Sequence, residues 1–373
     1  MHEDEQKIST PASLLMTRMK RKAFYLNLII YIGATCLMGL IFFLYQEEKE
    51  VDWEPNKSFT IDVLNKMTPV KDQGTNENCW AYAMLSAIET EHLMQGDSVH
   101  LSVDYAMRAL LEEQFEQTYL CQGKNRTTVR GMAQTLLNVM DRKGMYPYDA
   151  YHPSHPINHR MMGKKILLLG KTAINHHAGL HPFQPQVKKV LDEAYGAVPH
   201  QVYMLRATYT PSEFARSVCA PDEYVTLTSF THHPFGFPFV LELPDNWERN
   251  EQLNLPIDSM MNVMMRAVNS GHGVCWEGDV SNRFFSFRKG IAELPAGTDV
   301  SQQARQKAFE CFDTTDDHCM AVVGMAHDVK GQRFFIMKNS WGKKNPYGGL
   351  MYVSEDYVRL KTIAVVLPKS LLL

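Results

Sequence analysis

Val70–Met94 reads VKDQGTNENCWAYAMLSAIETEHLM, and the fold turns on how this stretch is read. From Cys79 onward, Trp80, Ala83, Met84, Ala87, Ile88 and Leu93 form a broad apolar helical face, so a buried helix begins at or beside the cysteine. A thiol at a helix start feels the positive end of the peptide dipoles, which favours the reactive thiolate. Gln73 stands six residues earlier in a polar, glycine-containing turn, where its amide can reach the same place.

A nucleophilic thiolate needs a proton acceptor. Far downstream, His318 lies in DDHCMAVVGMA (316–326), and 21 residues after it Asn339 stands in KNSWG (338–342). A cysteine, a histidine that takes its proton and an amide that orients the imidazole make the Cys-His-Asn variant of the nucleophilic triad, with the Gln73 side chain and the Cys79 N–H available to an oxyanion.

These three blocks, in this order and with the glutamine at this spacing, resemble the catalytic blocks of the papain-like cysteine peptidases. VRGMAQTLLNVMDRKGMYPYD (129–149), DEYVTLTSFTHHPF (222–235) and GHGVCWEGDVSN (271–282) are similar to the aminopeptidase C and bleomycin hydrolase branch. The resemblance implies Cys79 as nucleophile, His318 as general base and acid, Asn339 as the residue that orients it and Gln73 as oxyanion donor. It also implies that Trp341 shields the Asn–His hydrogen bond. No metal or organic cofactor is implied, and the partner is a peptide substrate.

Two positions depart from the family. Glu77 replaces a usual glycine, and Arg130-Gly131 replaces a Gly-Gly pair whose backbone binds substrate; these three residues are the candidate substrate-binding positions. Cys79 and His318 lie 239 residues apart (318 − 79), shorter than the branch's usual separation, which leaves a reduced oligomerisation insert and an open question of a homo-oligomer. The alternative from another class is a non-catalytic membrane-bound scaffold of the same fold that binds peptide in an altered cleft.

Outward from these blocks, the first half of the body carries helical patterns, among them Leu101–Leu120 with Glu112, Glu113 and Glu116 on its wet side, and Gly131–Arg142. The later half carries strand-like runs at 224–229, 237–243, 273–276, 320–327, 334–339, 349–353 and 362–367, with a helix over 256–269 capped by Asp258. The class is therefore α+β, and the resemblance implies a two-lobed papain-like arrangement with a helical lobe holding the cysteine and a β-rich lobe holding His318 and Asn339. Residues 145–222, rich in His and Pro, carry no readable pattern.

At the amino end, Phe24–Tyr45 runs for 22 residues without a charge. At about 1.5 Å per residue it reads as a transmembrane helix, and its length and the lack of a small-x-small site favour an uncleaved anchor over a signal peptide. Arg18, Lys20, Arg21 and Lys22 precede it and Glu47, Glu48 and Glu50 follow, which places residues 1–23 in the cytoplasm, a stalk at 46–59 and a peptidase domain at 60–373 outside the cytoplasmic membrane, with the lipid bilayer as a partner.

The remaining composition excludes other classes. With 38 Lys and Arg against 41 Asp and Glu the formal charge is −3, so no basic field points to nucleic acid. Cys121, Cys219, Cys275, Cys311 and Cys319 are expected as packed core residues, with the Cys319 side chain turned away from the face that carries His318. The adjacent pairs His176-His177 and His232-His233 have no third ligand spaced to join them, which argues against a metal site.

Overall fold

The computed structural model describes residues 22, 25–38, 57–125, 127–177, 179–204 and 206–372. The chain divides into two units, Met1–Trp53 and Glu54–Leu373. In the first, residues 25–38 form a helix, α1, with exposed side chains. No helix among the described residues is long and apolar enough to cross a membrane. This overturns the expected transmembrane helix, and with it the placement outside the cytoplasmic membrane and the bilayer as partner. Residues 24 and 39–45 of the expected span, the segment 1–23 apart from Lys22, and the stalk up to residue 56 lie outside the described residues.

The second unit opens with β1 (Phe59–Leu64), followed by α2 (Cys79–Gln95), α3 (Val103–Leu120) and α4 (Ala133–Lys143). Then come α5 (His159–Asn175), α6 (Gln184–Tyr195), the hairpin of β2 (Val202–Met204) and β3 (Ala207–Tyr209), and α7 (Pro211–Val218). The β-rich part holds β4 (Tyr224–Thr228), β5 (Pro238–Val240), β6 (Glu251–Asn254), α8 (Ile257–Asn269), β7 (Val274–Gly278), β8 (Phe285–Ser286), β9 (Ile291–Ala292) and α9 (Gln302–Glu310). It ends with β10 (His318–Asp328), β11 (Arg333–Lys338), β12 (Leu350–Ser354), α10 (Glu355–Lys361) and β13 (Thr362–Pro368).

Eleven strands form one sheet in the order β5-β6-β4-β13-β7-β10-β11-β12-β9-β8, with β1 added on β10. Strand β10 is its hub. Its sequence, HCMAVVGMAHD, is apolar on both faces because both are covered: α2 packs on one side and α8 on the other. Its first half pairs with β7 and its second half with β1, while β11 runs along the other edge. At the bulge between Val322 and Gly324, a Cβ on Gly324 would stand 2.5 Å from the Val63 carbonyl oxygen, so only glycine lets β1 dock.

Helix α2 is buried almost all round, with Trp80, Ala81, Ala83, Met84, Leu85, Ala87 and Ile88 at most 3% exposed. The small residues matter for approach. Gly273, just before β7, lies so close to Ala87 that a Cβ there would be 2.5 Å from the Ala87 carbonyl oxygen. Burying each large apolar side chain of this face is worth about 1.5–3 kcal/mol, which holds the first turn of α2 rigidly against β10.

Several expected details change. Glu113 is buried, 7% exposed, because Arg142 reaches it from α4 through two hydrogen bonds of 3.0 and 2.8 Å. Pro256, not Asp258, occupies the N-cap of α8, and Asp258 in the first turn instead pairs with Arg359. The unreadable middle contains α5 and α6, both packed on α3, and α7, which starts with a capping box between Thr210 and Glu213.

Candidate active site

The turn before Cys79 is tied down at both ends. Gln73 N–H donates to the Ser340 carbonyl at 2.8 Å, and the Ser340 hydroxyl donates to Gln73 Oε1 at 2.5 Å. Asp72 bridges to Trp341, and Asp72 Oδ1 accepts from Gly74 N–H at 2.8 Å. Gln73 Nε2 donates one proton to the Asn76 carbonyl at 2.6 Å, which leaves its second amide hydrogen for another acceptor. Asn76 in turn binds the Ile157 carbonyl and the His159 N–H. The turn thus delivers Cys79 as the first residue of α2, behind the N-cap Asn78. Asn78 is fully buried, and neither of its amide atoms has a hydrogen-bond partner among the described residues.

His318 is the first residue of β10, and Asn339 follows the end of β11. The β10–β11 pairing brings them together: His318 Nε2 donates to Asn339 Oδ1 at 2.7 Å, with both residues at most 3% exposed. Asn339 Oδ1 also accepts from Ser340 N–H at 2.7 Å, which fixes which amide atom faces the imidazole. With Nε2 engaged, Nδ1 is the atom left to meet the Cys79 sulfur. The Trp341 ring lies 4.4 Å from the imidazole centroid at 33°, and is itself buttressed edge-on by Phe285 and Phe287.

The Cys79 thiol is held well below the ordinary thiol range. The Cys319 thiol hydrogen-bonded to its sulfur is the largest cause; burial opposes it, and His318 adds both a hydrogen bond and its charge. Burial instead pushes the thiols of Cys319 and Cys275 well up, and that of Cys219 up to about 12. The cysteines are thus strongly unequal in reactivity.

On one flank of this pair, Arg130 reaches across from the segment before α4. Its Nε donates to Asp245 Oδ2 at 2.7 Å, its Nη2 lies 2.6 Å from the same oxygen, and Nη2 also donates to the Asp316 carbonyl at 3.0 Å, two residues ahead of His318. Glu277, paired with Cys319 across β7 and β10, accepts from Ala133 N–H, and its Oε2 has no hydrogen-bond partner among the described residues. Burial pushes the Glu277 carboxyl up to about 8, and the Cys79 and Asp245 charges add to that. Asp316 is raised for the same reasons, burial first. Three carboxyl groups and one guanidinium therefore crowd the site beside the thiol.

The model of the Peptidase C1-like family matches residues 196–373, the part that carries His318 and Asn339. Aminopeptidase W of Lactobacillus delbrueckii subsp. lactis is 24% identical over 209 residues, covering 50% of this chain and 48% of that protein. The chain thus spans about half the length of the curated relative it matches. The crystal structure of PepW from Lactobacillus rhamnosis HN001 superposes with a TM-score of 0.64 at 16% identity, covering 98% of this chain and 93% of the other. These matches support a papain-like cysteine peptidase. Aminopeptidase W and PepW support a likeness to the aminopeptidase C and bleomycin hydrolase branch.

In this papain-like chain, Gln73, Cys79, His318, Asn339 and Trp341 gather at one place, and Arg130 stands beside them. Gly131 sits just before α4, where a Cβ would come 3.2 Å from Thr135 Oγ1. Glu77 stays partly exposed in the turn before Asn78. Cys319 is buried as expected, in the apolar cluster of α2 side chains against which Cys79 packs, because α2 lies directly on β10. Cys121 and Cys311 are exposed because each sits at the C-cap of a helix, α3 and α9.

Asp245, Trp247 and Glu277 were not legible as neighbours of the site, because only the register of β7 on β10 and the turn after β5 bring them there. A sequence signal existed for Glu277 alone, a carboxylate inside an otherwise apolar strand. His232 and His233 do meet a third group, with Nε2 atoms 3.2 and 2.8 Å from the two oxygens of Glu242. Gln306 Nε2 donates to His232 Nδ1 at 3.0 Å while Gln306 Oε1 is held by Thr231 N–H. The His232 proton is therefore on Nε2 and directed at Glu242, which leaves that nitrogen without the lone pair a metal requires.

Proposed function

We propose that this chain hydrolyses peptides as an aminopeptidase-like cysteine peptidase. The observation that carries the reading is a thiol held below its ordinary range at the first residue of α2, facing an imidazole whose other nitrogen is bound to Asn339 Oδ1. The Cys79 thiolate attacks the peptide carbonyl carbon, and the carbonyl electrons move to oxygen. The Cys79 N–H and the second amide hydrogen of Gln73 stabilise that oxyanion. When it collapses, the C–N bond breaks, His318 passes its proton to the departing amine and a thioester remains on Cys79. Water then gives its proton to His318 and attacks the thioester, releasing the acid and the thiolate. The relative named Aminopeptidase W supports release of residues from peptide amino ends.

The test combines hydrolysis of unblocked peptides with titration by an epoxide that alkylates active thiols. Wild-type protein hydrolyses the peptides and loses that activity in proportion to Cys79 labelling, and Cys79→Ala is inactive. Hydrolysis that persists in Cys79→Ala refutes the reading. The crowding of the cleft by Arg130 is the one feature favouring a non-catalytic peptide-binding scaffold, and peptide binding without any turnover by wild-type protein establishes that alternative instead.

A further inference from the structure

We infer that Arg130 is a specificity-determining strap that closes the cleft on the acyl side of Cys79 and confines substrates to those with little chain before the scissile bond. The inference rests on the peptidase reading for its direction, because His318 must hand its proton to the leaving amine. The leaving segment therefore lies on the flank where the imidazole leans on Trp341, and the acyl segment runs the other way, past Cys79 toward residues 129–131.

Two independent observations close that direction. The first is the side chain. Arg130 spans from the segment before α4 to Asp245 and to the Asp316 carbonyl, so its guanidinium bridges the helical part and the β-rich part next to the thiol. Asp245 is 5% exposed, and hydrogen bonding to it keeps the guanidinium firmly charged and fastened.

The second is the backbone. An extended acyl segment would need unpaired backbone groups along 129–131 to pair with, as a peptide adding to an open strand does. Here the Val129 carbonyl accepts from Trp80 Nε1 at 3.0 Å, and the Arg130 carbonyl accepts from Trp247 Nε1 at 3.0 Å. Arg130 N–H donates to Thr128 Oγ1 at 3.0 Å. These three groups are already used. An extended chain meets the guanidinium there, and of this segment only the Gly131 backbone is left to pair with it.

The strap is tested by alkylation of Cys79, which does not depend on turnover. Rates of Cys79 modification by iodoacetamide, a small probe, and by a blocked dipeptidyl diazomethyl ketone, a long acyl-side probe, are measured by mass spectrometry of the intact chain. The ratio of long to small rates should rise at least tenfold in Arg130→Gly, and at least severalfold in Asp245→Asn, which frees the guanidinium without deleting it. Arg130→Lys should fall between Arg130→Gly and wild type. A ratio that changes less than twofold in both Arg130→Gly and Asp245→Asn overturns the strap. Failure of the peptidase reading is separately visible, as wild-type protein that is alkylated at Cys79 yet hydrolyses no peptide.

Discussion

Asn339→Ala deletes the acceptor of the 2.7 Å hydrogen bond from His318 Nε2, in a place where both partners are at most 3% exposed and water cannot easily substitute. During acyl transfer the imidazole carries the proton from Cys79, so the bond becomes charge-assisted. Such a bond is worth about 1.5–3 kcal/mol, which predicts a loss of about 10- to 150-fold in kcat with little change in KM. His318→Ala removes the proton carrier itself and should cost about 10⁴-fold. Asn339→Asp separates orientation from charge. Asn339 Nδ2 has no hydrogen-bond partner among the described residues, so exchanging it for oxygen breaks no bond, and the acceptor facing Nε2 remains. The new negative charge, about 4 Å from the imidazole at an effective dielectric near 20, is worth about 4 kcal/mol, or about 3 pH units at most. The imidazolium becomes harder to deprotonate, so the alkaline limb of the kcat/KM profile should move to higher pH. The assay is a pH series of kcat/KM on enzyme standardised by active-site titration. Asn339→Ala within threefold of wild type, or Asn339→Asp with an unmoved alkaline limb, refutes the orienting role.

Three other outcomes follow from the same geometry. Alkylation of Cys79 should persist at pH values below the ordinary thiol range, because its sulfur is stabilised by Cys319 and His318, while Cys275 and Cys319 stay unlabelled near neutrality; equal labelling of the three by mass spectrometry contradicts this. Trp341→Ala opens the His318–Asn339 bond to water and should lower kcat about 5-fold with the Cys79 titre unchanged, a loss of about 1 kcal/mol. His159, 2% exposed, is lowered by burial to about 4 from an ordinary value of 6.5, so between these values the unfolded chain binds a proton that the folded one does not, and stability falls as the pH falls from 6.5 to 4. Over that window the loss is about 3 kcal/mol. Asp104, raised by burial to about 6, acts with the opposite sign, so urea midpoints against pH are best measured in Asp104→Asn, where adding His159→Gln should flatten the acid slope. An unchanged slope in the double variant removes His159 as its source.

The placement of the candidate site was legible because local rules carry it. A cysteine opening an apolar helical run, a histidine opening an apolar strand and an asparagine 21 residues later can be located from the sequence, since helix starts and strand ends are set by neighbours in sequence. The alternation between helical and strand-like halves likewise followed from periodicity. A long uncharged run at the amino end was not enough to establish a membrane span, because no helix among the described residues is long and apolar enough to cross a membrane. The tertiary structure alone decided the rest. Strand register put Glu277 beside Cys319, the packing of α2 on β10 brought Cys319 into the apolar cluster that Cys79 packs against, and a turn 115 residues beyond Arg130 supplied the Asp245 that fastens it. Contacts of that sequence separation leave no periodic trace in the chain, since each depends on how whole elements pack and not on the residues next to it.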